Sequence, residues 1–233
     1  MSVKHRAKSL LKSALPESVA THQGLAAIRR AWRGRRANVA AVFADIYRYN
    51  RWQDTESVSG RGSTLARTVV IRRALPALLK DLAVTSLLDA ACGDFNWLKD
   101  VDLAGIKYTG ADIVPALIAR NQQLYGQAAR AFLVLNLIKD RVPTVDAILC
   151  RDLFIHLSGR HIRAAIANFK RSKSTYLLAT THTRVAHNSD IETGDWRTIN
   201  LQLPPFNFPP PVRSLSEDAT TGKRLSVWRL AEL

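Results

Sequence analysis

LLDAACGDFNWL, residues 87–98, runs from an apolar segment to an acid and then into a tight turn of small residues. Residues 86–89 fit a buried strand that stops at Asp89. Ala90, Ala91, Cys92 and Gly93 then let the backbone turn close to a bound molecule, because no bulky side chain screens the main-chain N–H groups. About one βα repeat later, residues 108–110 lead into Asp112, an acid placed to accept hydrogen bonds from both hydroxyls of a ribose. Together the two segments predict a nucleoside site at the carboxyl edge of a parallel sheet.

The turn is not the dinucleotide fingerprint, which needs G-x-G-x-x-G to receive a pyrophosphate on a helix N-terminus. Here only Gly93 is glycine, and Asp94, which follows it, would repel a diphosphate and suit a cationic ligand. Asp89, Ala91 and Gly93 resemble motif I of the class I S-adenosylmethionine-dependent methyltransferases, usually written D-x-G-x-G, with alanine in place of the first glycine. That resemblance implies S-adenosylmethionine as cofactor, with its ammonium and sulfonium and no phosphate. It also implies a Rossmann-like α/β fold, a seven-stranded and mostly parallel sheet with helices on both faces. A non-methyltransferase protein of the same general fold is the alternative. The cofactor-binding set expected from this resemblance is Asp89, Ala91, Gly93, Asp94, Asp112, Ile113, Asn136, Leu137 and Arg151.

The rest of the chain supplies the remaining units in order. A helix is expected over Pro115–Tyr125 and a strand over 131–135. The pair Asn136-Leu137 follows, where such methyltransferases commonly bond the adenine edge; an acid is more usual at Asn136. VDAILCRD (145–152) and STYLLATT (174–181) read as further buried strands, and KRLSVWRL (223–230) as the end of a final strand pair. Polar residues at the carboxyl ends of successive strands match the rule that open parallel sheets bind ligands there. Cys92 and Cys150 end neighbouring strands, so their thiols are expected either near each other or simply buried in tight turns.

Methyl transfer requires an aligned acceptor and, for a hydroxyl, a base. His156, in CRDLFIHLSGRH (150–161), is the first candidate, with Asp152 orienting the imidazole or acting itself; a role in capping the next helix competes. His182 is second, and His161 falls within the following helix. Trp196, Arg197 and Phe206, in GDWRTINLQLPPFNFPP (194–210), are the acceptor-side candidates, on a proline-stiffened aromatic loop suited to stacking on a sugar. LPPF at 203–206 is similar to the [DNS]-P-P-[FYW] motif of amino-methylating enzymes, but Leu203 cannot bond an amine. No metal site is expected.

The chain has 233 residues and a formal net charge of +15. Residues 1–80 hold sixteen Lys/Arg against four Asp/Glu, and residues 81–233 eighteen against fifteen, so the basicity lies in the N-terminal part. LAAIRRAWRGRR (25–36) places Leu25, Ile28 and Trp32 on one side of a helix and arginines around the rest. Such a helix suits an anionic membrane surface, a nucleic acid, or a solvated cap. Residues 1–63 are read as a basic extension ending in a lid-like loop, ESVSGRGS, with Arg61 or Arg67 near a carboxylate, and 64–233 as the methyltransferase domain. Ser63 or Thr64 is expected to cap a helix running to Lys80, bent at Pro76. Lys12 and Pro16 interrupt the only apolar N-terminal stretch, so a cytoplasmic location is expected, with peripheral contact to the inner membrane face as an option.

ESVSGRGST, LLDAACGDFNWL, YTGADIVPALI, ILCRDLFIHLS and GDWRTINLQLPPFNFPP together resemble one bacterial methyltransferase family over roughly residues 42–230, and within it the rhizobial nodulation 2-O-methyltransferases. That resemblance implies O-methylation of a sugar hydroxyl in an oligosaccharide or glycolipid, such as the fucose of a lipo-chitooligosaccharide signal. Methylation of RNA or another polyanion, with the basic extension binding phosphate, is the alternative partner reading.

Overall fold

Ser86–Ala90 forms strand β1, and Leu87 and Leu88 point to opposite faces of the sheet, as successive strand residues must. The computed structural model describes residues 38–233; the basic segment 25–36 lies outside the described residues. β2 (Lys107–Asp112), β3 (Arg130–Val134), β4 (Ala147–Cys150) and β5 (Tyr176–His182) follow, and β6 (Arg213–Asp218) and β7 (Lys223–Arg229) end the sheet. The strand order is β3-β2-β1-β4-β5-β7-β6. β1 pairs in parallel with β2 and β4, β2 with β3 and β4 with β5, while β7 runs antiparallel to both β5 and β6. The expected sheet is therefore present. Its order reverses between β1 and β4, which opens a crevice at their carboxyl ends.

The central strands are apolar on both sides because helices cover both faces. Helices α2 (Val69–Asp81) and α3 (Pro115–Tyr125) bury Ile71, Leu75, Leu79 and Ile118 against Leu87, Leu149 and Leu178. Helix α4 (Gly159–Arg171) buries Ile162, Ala165 and Phe169 against Leu88, Ile148 and Leu177 on the other face. Cys92 belongs to the first cluster and Cys150 to the second, so the thiols do not meet. Topological adjacency of two strands does not bring together side chains that point to opposite faces.

Helix α1 (Val39–Arg48) precedes the sheet, with the Asn38 side chain accepting from the N–H groups of Ala40 and Ala41 as an N-cap. Two expectations about α2 are corrected. Residues Arg61–Ser63 form a separate 3-10 turn, and the Thr64 hydroxyl donates back to the Arg61 carbonyl at 3.0 Å. The same hydroxyl accepts from the Arg67 N–H at 3.4 Å, so it serves the turns on either side of it and not the helix itself. α2 begins at Val69, and the Thr68 hydroxyl donates to the Thr64 carbonyl at 2.8 Å instead of capping. Pro76 lies inside α2 as expected. No helix among the described residues is long and apolar enough to cross a membrane.

Candidate functional site

A cavity of about 790 Å³ opens over the carboxyl ends of β1, β2, β4 and β5. Asp112 ends β2 at its floor, buried, with Oδ2 accepting from the Gly93 N–H at 3.2 Å and Oδ1 from the Val114 N–H at 3.1 Å. Burial outweighs these bonds and pushes its carboxyl up to about 6. Asp89, in the middle of buried β1, accepts from the Tyr108 hydroxyl at 2.8 Å and is pushed up to about 7, again chiefly by burial. Two desolvated acids thus face one cavity, and no lysine or arginine forms an ion pair with either among the described residues. A cationic ligand would relieve both.

Gly93, in the turn after Asp89, is the residue whose N–H reaches Asp112. Its φ is +54°, and a Cβ there would collide with the Ser59 hydroxyl, so both the turn and the close approach of residues 57–59 require glycine. Its carbonyl accepts from Asn121 Nδ2 at 2.7 Å. Ala91, Ile113, Asn136 and Leu137 line the same cavity. The Asn136 side-chain Oδ1 accepts from the Ile138 N–H at 3.1 Å, an Asx-type turn.

Asp94 is a correction. It does not line the cavity, because its carboxylate is filled by the Ser57 hydroxyl, the Val58 N–H and the Ser59 hydroxyl at 2.9 to 3.1 Å. Its charge fixes a loop instead of a ligand. The lid-like segment is accordingly tied down: the Ser63 carbonyl accepts from Asn96 Nδ2 and the Gly62 carbonyl from Arg151. It forms one wall of the cavity, where Arg61 and Arg67 also stand. Arg151 is a second correction. It lines the cavity, but its guanidinium pairs with Glu217 at 2.6 Å, lies 3.2 Å from Asp152, donates to the Gly62 carbonyl and sits over the Trp97 ring, so most of its donors are engaged by the protein.

His156 sits in the 3-10 turn Phe154–His156 and lines the cavity. Its Nδ1 lies 3.0 Å from the Asp195 carbonyl, which accepts only from a protonated Nδ1 and so leaves a lone pair on Nε2. Burial lowers its pKa below the ordinary 6.5, so the ring is neutral near pH 7. Trp52 stacks on it with ring centroids 4.8 Å apart. The expectation that Asp152 orients this imidazole is corrected: the Asp195 backbone does so. Burial alone would raise the Asp152 carboxyl, but Arg151 and Lys223 hold it well below the usual carboxylate range, which makes it a poor base.

On the acceptor side, Trp196 lines the cavity and is 62 % exposed. Arg197 and Phe206 are corrections. Phe206 packs on the apolar cluster under α4. Arg197 turns inward and donates to the carbonyls of Phe154 at 2.6 Å and Leu157 at 2.8 Å, bracketing the turn that holds His156. The Gly194 N–H donates to the His156 carbonyl at 2.8 Å, completing the bracket. Arg197→Met, which leaves those carbonyls unpaired, is expected to cost about 2–4 kcal/mol in thermal or denaturant unfolding. It should also let the His156 ring titrate nearer 6.5, read by NMR of the imidazole.

Trp52, Glu217 and Lys223 also belong to the site and had no motif to announce them. Trp52 stands in the sequence as an aromatic with no motif around it. Glu217 and Lys223 flank the β6–β7 turn, at a register shift between Ser216 and Asp218 that sequence spacing does not reveal. His182 lines the cavity, and His161 lies in α4 with Nδ1 2.7 Å from the Thr193 hydroxyl. No three His, Cys, Asp or Glu side chains cluster as metal ligands among the described residues.

The sequence matches no protein-family model and no curated protein. Solved structures do match. The magnesium protoporphyrin IX methyltransferase of Synechocystis PCC 6803 with bound SAM aligns with a TM-score of 0.54 and 14 % identity, over 82 % of this chain and 97 % of that one. Human N-acetylserotonin methyltransferase in complex with SAM gives 0.54 and 12 %, over 70 % and 52 % of the two chains. The Burkholderia thailandensis 1,6-didemethyltoxoflavin-N1-methyltransferase, with its substrate and S-adenosylhomocysteine, gives 0.52 and 16 %, over 69 % and 77 %. At these identities the likeness establishes the architecture, a Rossmann-like methyltransferase fold.

Proposed function

We propose that this chain is an S-adenosylmethionine-dependent O-methyltransferase whose acceptor is a sugar hydroxyl of an oligosaccharide or glycolipid, with His156 as the base. One observation supports this most: a neutral imidazole with a free Nε2 shares a cavity with two buried acids that form no ion pair among the described residues. The fit to the cofactor follows from those donor groups. Asp112 would hold the ribose hydroxyls, Ile113 and Leu137 would flank the adenine, and the Asp89–Gly93 turn would receive the amino-acid tail, its ammonium opposite Asp89. The bound cofactor supplies an electrophilic methyl on a sulfonium, already a good leaving group.

The protein's own task is then alignment and proton removal. Asp195 fixes the His156 tautomer, Trp52 holds the ring flat, and Arg197 with Gly194 fixes the turn beneath it. The Nε2 lone pair takes the hydroxyl proton as the oxygen meets the methyl. The exposed Trp196 and the Trp52 face suit the C–H face of a pyranose. The finer reading, 2-O-methylation of fucose in a nodulation-type lipo-chitooligosaccharide, rests on the sequence resemblance. In the same reading the basic segment 25–36 brings the enzyme to anionic membrane, where glycolipid acceptors are made.

Calorimetry with S-adenosylhomocysteine, followed by incubation with methyl-labelled cofactor and separated glycan, lipid and RNA fractions, tests the assignment. Micromolar binding and label in the glycan or glycolipid fraction are expected. Absence of binding would end the methyltransferase reading, and label confined to RNA would replace the sugar acceptor with a polyanion.

A further inference from the structure

Asp152 and Lys223 stand on the cavity wall with no part in the proton transfer assigned above. Lys223 Nζ lies 2.6 Å from Asp152 Oδ2 and 3.4 Å from Glu217 Oε2. Both members of the pair are 17 % exposed in their side chains, whereas Arg151 and Glu217 behind them are 3 % exposed. The pair is therefore the accessible edge of a buried, self-neutralised quartet. Asp152 also holds a φ of +58°, a backbone state that L side chains seldom adopt. Its surroundings impose it: the Asp152 N–H donates to Thr180 Oγ1 at 2.9 Å, and the Thr180 hydroxyl donates to Asp152 Oδ1 at 3.1 Å. Strain of this kind persists where the fold over-determines a side chain's direction.

Valence counting shows what remains free. An ammonium has three donors, and those of Lys223 meet only Asp152 and Glu217, so one is left. Oδ1 of Asp152 receives only the Thr180 hydroxyl, so one acceptor position is left. A spare donor beside a spare acceptor complements a group that both accepts and donates, which is a hydroxyl. A second observation agrees. His182, at the end of β5, is 5 % exposed, and its Nδ1 has no hydrogen-bond partner. The charges that act on its ring are those of Asp152, Lys223 and Glu217. Buried polar atoms are rarely left unpaired without a functional reason.

We propose that the Asp152–Lys223 pair binds a second hydroxyl of the acceptor, next to the one His156 deprotonates, so that the enzyme selects vicinal diols over isolated hydroxyls and phenols. The proposal rests on the methyltransferase reading and narrows its substrate class. The fixed pair meets the neighbouring oxygen as both donor and acceptor, which orients the sugar ring as well as holding it. A site built to hydrogen-bond a hydroxyl strongly rejects the analogue that lacks it, because its own buried groups are then left unpaired.

The test uses the full chain and methyl glycosides of fucose, rhamnose, glucose and mannose, each paired with analogues that lack one ring hydroxyl, plus a simple phenol. Transfer of labelled methyl is measured alongside S-adenosylhomocysteine affinity. For at least one sugar the parent should exceed the analogue lacking the neighbouring hydroxyl by at least about tenfold in kcat/KM. Lys223→Met should bring the two within about threefold of each other, with S-adenosylhomocysteine affinity unchanged, and Lys223→Arg should restore much of the gap. Parent and deoxy sugars within about threefold of each other in the unmodified protein would overturn the proposal, whether or not Lys223→Met folds. So would a gap that survives in a folded Lys223→Met, or label only on the phenol or on no glycoside while S-adenosylhomocysteine binds. Failure to bind S-adenosylhomocysteine at all would instead remove the reading beneath it.

Discussion

His156→Ala lowers methyl transfer by about 10²–10⁴-fold, the usual contribution of a positioned general base, while S-adenosylhomocysteine binding stays within roughly twofold. The ring has the attributes this role demands. Its tautomer is set by the Asp195 carbonyl, its plane by Trp52 and its backbone by Arg197 and Gly194. The sign of the pH dependence follows from burial, which lowers the pKa below 6.5. The base is active when neutral, so at saturating cofactor kcat/KM should rise with pH through the acid range and reach its plateau at a lower pH than an ordinary imidazole would set. In His156→Ala that plateau should give way to a rate that keeps climbing with hydroxide. Unchanged turnover, or loss of S-adenosylhomocysteine affinity in step with turnover, would show that the imidazole is part of the packing and not of the chemistry.

Much of this site was legible because parallel-sheet strands are short apolar runs that end in polar residues. That pattern placed β1, β2, β4 and β5, and with them Asp89, Asp112, Asp152 and His156, at one edge. What escaped were interactions whose partners lie far apart along the chain. Asp94 reads as a ligand-facing acid until residues 57–59 arrive to fill it, and nothing in the turn announces them. Arg197 reads as a ligand-facing cation for the same reason, and the engagement of Arg151 by the Gly62 carbonyl and the Glu217 carboxylate is equally invisible locally. The missed start of α2 has a different origin. A threonine hydroxyl can bond forward as a cap or backward as a turn, and sequence does not choose between the two.

Asp112→Asn should weaken S-adenosylhomocysteine binding by about 10–100-fold, since each hydrogen bond to a charged group contributes roughly 1.5–3 kcal/mol and one ribose hydroxyl loses its acceptor. The same change should raise the stability of the empty protein at pH 8. Burial pushes the Asp112 carboxyl up to about 6 from 3.8, so the native state takes up a proton that the unfolded chain does not in that interval. A raised carboxylate pKa means stability present below pH 4 and lost as pH rises to 6, worth about 3 kcal/mol for a shift of this size. Asparagine has no charge to desolvate, so it recovers part of that loss, offset by poorer bonding to the Gly93 and Val114 N–H groups. Binding has the opposite pH sign, because the ligand needs the ionised acid: affinity in the unmodified protein should fall by about tenfold per unit below pH 6, and less steeply in the variant. Asp89, at about 7, adds its own proton release, so the calorimetric enthalpy near pH 6.5 should vary with the ionisation enthalpy of the buffer. A purely structural Asp112 gives a different result, a lower melting temperature with affinity unchanged, and that pair of measurements separates an acid kept for a ligand from one kept for the fold.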